Sequence, residues 1–209
     1  ASRSGEQLLL NAGRGNPNFL ATLPRHGYYQ FGLFAITEAE RSFSYMPEGV
    51  GGFPAHEGIE ARFDIFTTKR KGVPGVEFIR NCVSYVRDQL GLPAADFIYE
   101  MCEALLGCMY PVPDRMLKLS EKIVAQYIRK EMVHDYPEFC GNFDLFAVEG
   151  GTAAITYLFT TLKETHLLKP GDSIALGLPI FTPYLAIPEL SDCELVDAGI
   201  HAELQDSCP

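Results

Sequence analysis

The sequence predicts an α/β protein in which a helical N-terminal region is followed by the first strands of an open, mostly parallel sheet. Three observations predict it. Between residues 30 and 133 apolar side chains recur at three- and four-residue steps, the period of a helix with one buried stripe. Beyond a join at Pro137 to Asn142, short apolar runs of strand length alternate with one helix-period stretch. The 209 residues, 47% hydrophobic and 21% charged, have an ordinary globular composition. A chain of this length buries roughly 70% of its unfolded surface, so a packed core needs neither disulfide nor metal.

The elements follow in order. Gln30 to Phe43 and Glu57 to Lys69 read as helices. Val76, Ile79, Val83, Val86 and Leu90 mark the stripe of a third, opened by Pro74 and closed by Gly91. Ala94 to Leu106 is a fourth. Asp114 to about Val133 is a fifth, with Met116, Leu119, Ile123 and Tyr127 on one face and Asp114 able to cap its start. Phe143-Asp-Leu-Phe-Ala-Val148 is a strand, and Glu149-Gly-Gly-Thr152 hands over to a helix through Ala154, Tyr157, Leu158, Thr161 and Leu162. Lys169-Pro-Gly-Asp172 is a turn before a strand at Ser173 to Leu178. A short helix, Phe181 to Leu190, and a third strand, Glu194 to Asp197, complete a right-handed parallel unit.

The charge excludes several classes. Seventeen Lys and Arg against 27 Asp and Glu give a net charge of −10, which argues against a nucleic-acid backbone as partner. The cluster Lys69-Arg70-Lys71 reads as a solvated turn. No run approaches the ~18 apolar residues of a membrane span, and no basic segment leads into a secretory core, so a cytoplasmic protein without a membrane partner is expected. Cysteines 82, 102, 108, 140, 193 and 208 form no C-x-x-C pair and read as thiols in apolar surroundings. Histidines 26, 56, 134, 166 and 201 lack metal-ligand spacing, so no metal is expected.

Three loops could carry chemistry. At Gly150-Gly151-Thr152 the backbone N–H groups and the positive end of a helix dipole converge, and glycine lets a phosphate oxygen approach; the tripeptide alone also fits a tight turn with Thr152 as N-cap. Pro179-Ile-Phe-Thr-Pro-Tyr184 follows the next strand, where an aromatic could cover a flat ring or simply fill the core. Arg14, between two glycines and ahead of Asn16-Pro17-Asn18, suits a carboxylate ligand or a solvated arm. The loop from Tyr45 to Pro54 is too rich in glycine for regular structure and either turns tightly or lets backbone approach closely.

Taken together, Asn11-Ala-Gly-Arg-Gly-Asn-Pro-Asn-Phe19, Ser44-Tyr-Met-Pro-Glu-Gly-Val-Gly-Gly-Phe-Pro54, Tyr110-Pro-Val-Pro-Asp-Arg115, Glu149-Gly-Gly-Thr-Ala-Ala154 and Leu178-Pro-Ile-Phe-Thr-Pro-Tyr-Leu185 resemble the aspartate 4-decarboxylases. These belong to the fold-type I pyridoxal phosphate (PLP) enzymes, alongside aminotransferases. The resemblance runs from about Leu8 to about Val196 and implies a partial PLP-dependent transferase architecture. It divides the chain into an arm with glycine-rich substrate loops (1–54), a helical region (55–140) and the start of the PLP-binding domain (141–209).

It implies that Gly150, Gly151 and Thr152 hold the cofactor phosphate, that Phe181 stacks on the pyridine ring and that Tyr45 reaches the phosphate of a neighbouring subunit. Arg14 and Asn16 would meet the distal carboxylate of L-aspartate, with Tyr110 a further catalytic residue. The implied reaction releases the β-carboxylate as carbon dioxide and leaves L-alanine, with aminotransferase side activity, in a homo-oligomer built from dimers. Lys69, Lys71, Lys118, Lys122, Lys130, Lys163 and Lys169 do not match the motif of the lysine that holds the cofactor covalently. The chain therefore reads as an N-terminal portion, not expected to catalyse alone. The alternatives are a non-catalytic remnant or assembly protein of the family, and a PLP-dependent aminotransferase.

Overall fold

The computed structural model describes residues 19–109, 115–134, 143–177, 180–189 and 193–197. They form two compact units, one covering 19–147 and the other the described residues from Val148 onward.

The first unit is helical: α1 (Thr22–Ser42), α2 (Ile59–Lys69), α3 (Val76–Asp88), α4 (Ala94–Leu106) and α5 (Lys118–Tyr127), the last running on as one π-helical turn, Ile128–Met132. Helix α1 starts two turns before the expected Gln30. The reason is Gly27, which acts as a contact rather than a breaker: a Cβ there would lie 2.6 Å from the Phe78 ring, so its absence lets α1 meet α3. The same junction is closed from the other side by Gly75, which caps α3 at φ +86° and whose Cβ would come within 2.3 Å of the His26 backbone. The periodicity of α3 is realised as read, with Val76, Ile79, Val83 and Val86 all buried.

These helices enclose a core rich in phenylalanine. Phe31, Phe34, Phe63 and Phe97 are each at most 6% exposed, with ring centroids 5.2 Å apart for Phe34–Phe63 and 5.3 Å for Phe31–Phe63. Ile59, Ile98, Cys102 and Leu119 belong to it, as do Ile79, Val83 and Val86 of α3. Helix α5 begins at Lys118, and Asp114 lies outside the described residues. Its first turn is satisfied from another helix: the Glu100 carboxylate accepts the Leu119 N–H at 3.0 and 3.1 Å.

One buried acid organises the loop side of this unit. Glu38 is 1% exposed and accepts from Arg62, with N–O distances of 2.7 to 2.9 Å, and from Arg41 at 3.3 Å. Arg62 also donates to the carbonyls of Ala55 (2.7 Å) and Glu57 (2.6 Å). The Tyr45–Pro54 loop both turns and approaches closely. The Met46 N–H donates to Phe43 O at 2.8 Å, Gly52 N–H donates to Ala39 O at 2.9 Å, and a Cβ at Gly51 would press on Ala39 at 2.9 Å.

The second unit contains α6 (Gly151–Glu164), β1 (Ser173–Leu176), α7 (Pro183–Glu189) and β2 (Glu194–Asp197). The strands pair in parallel, Ser173 with Glu194 through Leu176 with Asp197, and α6 packs on α7. The Lys169–Asp172 turn forms as its chemistry predicts, with Asp172 N–H donating to Lys169 O at 3.0 Å and its carboxylate accepting the Lys169 N–H at 2.7 Å. The expected strand at Phe143 to Val148 is corrected. It is irregular, because a strand exists only through a ladder and no described strand pairs with it. Among the described residues no helix is long and apolar enough to cross a membrane.

Candidate cofactor site

The start of α6 is built for close approach. Gly150 is its N-cap at φ 122°, ψ 176°, a conformation in effect restricted to glycine. Its carbonyl accepts the Ala154 N–H at 3.0 Å, so the N–H groups of Gly151, Thr152 and Ala153 stand ahead of the first intrahelical bond, and no side chain caps them. The alternative reading of Thr152 as N-cap is thereby corrected: Thr152 lies inside the first turn and is exposed.

The second loop reaches the same place. Tyr184 N–H donates to Phe181 O at 2.9 Å, which puts the two aromatics on one turn at the head of α7. Their rings meet edge to face, with centroids 5.7 Å apart and planes at 87°. Phe181 remains 42% exposed, and a Cβ at residue 151 would sit 2.7 Å from the Tyr184 hydroxyl. Glycine there lets the Tyr184 hydroxyl come up beside the open first turn of α6. Backbone N–H groups at an uncapped helix start, with a hydroxyl close by, are donors of the kind that suit a phosphate ester. The negative charge nearest in sequence is Glu149, whose carboxylate accepts the Tyr157 hydroxyl at 3.4 Å.

Of the remaining expected site residues, Tyr45 belongs to the helical unit, where it is 77% exposed and leans on Phe43 at 5.7 Å. Arg14, Asn16 and Tyr110 lie outside the described residues. Sequence reasoning gave Tyr184 no role of its own, although its three-residue spacing from Phe181 at a helix start was a usable signal.

The helical unit holds other concavities. A 440 Å³ cavity is walled mainly by Ile36, Phe43, Phe53 and Leu106 and carries Glu40 and Cys108. A 590 Å³ cleft combines Leu90, Leu92 and Phe143 with Lys122 and Arg129, the latter guanidinium 5.0 Å from the Phe143 ring centre. His56 Nε2 lies 2.7 Å from Asp96 Oδ1, both side chains half exposed. None of these joins an open helix terminus to an exposed ring. Among the described residues no group of three or more His, Cys, Asp or Glu could hold a metal ion.

No family model matches the chain. A curated protein of Pseudomonas sp., a bifunctional aspartate aminotransferase and L-aspartate beta-decarboxylase, is 53% identical over 205 residues, which is 97% of this chain. The chain spans 38% of that relative's length. Identity at this level over nearly every residue makes the chain similar, for the stretch it covers, to that bifunctional aspartate aminotransferase and L-aspartate beta-decarboxylase.

Proposed function

We propose that this chain is part of a PLP-dependent enzyme of fold type I that removes the β-carboxylate of L-aspartate, giving L-alanine and carbon dioxide, with aminotransferase side activity. One observation carries the reading. A chain 53% identical to a bifunctional aspartate enzyme carries, within one compact unit, a glycine pair opening a helix and an exposed phenylalanine one strand later. Bound there, PLP supplies an electron sink for the bonds breaking in the amino acid.

The chain's own residues then divide the work. Gly150, Gly151 and Thr152 hold the phosphate by backbone N–H groups and a hydroxyl, using the dipole of α6. Phe181 covers one face of the pyridine ring and excludes water from it. Arg14, with Asn16 beside it, orients the distal carboxylate. That hold must be loose enough for the carboxylate to leave, because binding the ground state too well raises the barrier. Tyr110 is a further active-site residue, and Tyr45 reaches the phosphate of a neighbouring subunit in a homo-oligomer built from dimers.

The test uses the enzyme that contains this segment. Incubated with L-aspartate and PLP, it should release alanine and carbon dioxide in equal amounts, faster than it forms oxaloacetate from aspartate and 2-oxoglutarate. Oxaloacetate alone would make it an aminotransferase. Neither product, with PLP bound, would make it a non-catalytic relative.

A further inference from the structure

Tyr184 has a hydroxyl with a position but no assigned task. It lies beside Gly151, 2.7 Å from where a Cβ would be. Packing alone does not require it there, since the ring's contact is with Phe181 and phenylalanine would make the same edge-to-face pair. A phosphate monoester presents three strongly accepting oxygens. The N–H groups of Gly151, Thr152 and Ala153 would meet such a group from the start of α6, and the Tyr184 hydroxyl could add a donor from α7.

We infer that Tyr184 is a further residue of the phosphate seat, its hydroxyl donating to a terminal phosphate oxygen while its ring edge fixes Phe181. The inference rests on the reading of residues 150–152 proposed above. It also gives Gly151 a second purpose: a side chain at 151 would push the tyrosine aside as well as crowd the anion.

The experiment compares Tyr184→Phe and Gly151→Val with the parent in the full-length apoenzyme, measuring dissociation constants for PLP, pyridoxal and inorganic phosphate. Tyr184→Phe should weaken PLP and inorganic phosphate about ten- to a hundred-fold, the range for a hydrogen bond to a charged group, and leave pyridoxal unchanged. Equal weakening of pyridoxal would put the hydroxyl on the ring instead, and no change in any of the three would reduce Tyr184 to packing. Either result overturns the inference. PLP binding that survives Gly151→Val undiminished would instead defeat the phosphate seat itself, so the two failures are distinguishable.

Discussion

At the residue scale, two buried groups decide much of the behaviour of the helical unit. Glu38 is a charge removed from water and repaid by Arg62 and Arg41. Breaking such a pair from one side leaves the other partner uncompensated, and Arg62 is itself only 24% exposed at its side chain. Glu38→Ala should therefore cost about 3 kcal/mol in urea unfolding, the low end for a buried pair. Cys102 is the second group. Burial, with the Glu38 carboxylate nearby, pushes its thiol from the ordinary 9.0 up to about 12. Above pH 9 the unfolded chain loses this proton while the folded one keeps it, so the unfolded state is favoured progressively as pH rises toward 12. Unfolding free energy should fall across that window, and Cys102→Ala should remove this component of the slope. At pH 8 the native thiol should resist iodoacetamide until urea is added.

At the scale of elements, boundaries follow whichever interaction is strongest locally. Helix α4 runs from Ala94, after Pro93, to Leu106, where Gly107 turns left-handed at φ 68°, and both signals were legible in the chain. Helix α1 extends beyond the expected Gln30 through a glycine and two tyrosines at 27–29 that interrupt the apolar stripe, and only the approach of α3 explains the glycine. Residues 143–148 have the composition of a strand but no paired neighbour among the described residues, and pairing is a tertiary fact that periodicity does not contain. The candidate site divides similarly. Gly150 to Thr152 could be placed from a strand-like run, two glycines and a helical pattern, whereas the meeting of residues 151 and 184 depends on how α7 packs. Helix α5 is capped by Glu100 across space, so Glu100→Ala should cost about 1 kcal/mol and speed amide exchange at Leu119.

At the scale of the molecule, protection is unevenly distributed. The helical unit contains the phenylalanine core, whereas α6 has no buried side chain and leaves Tyr157 48% and Leu158 50% exposed. Hydrogen exchange monitored by mass should show α1, α3 and α4 opening only with global unfolding, and α6 exchanging through smaller, local openings. Equal protection in the two units would contradict that ordering. The Gly75 junction has a consequence of another kind. Every missense change in that codon introduces a Cβ where the His26 backbone already stands, on a φ of +86° that other residues rarely adopt. Whatever side chain replaces this glycine must therefore push α1 off α3 at the point where the two helices touch.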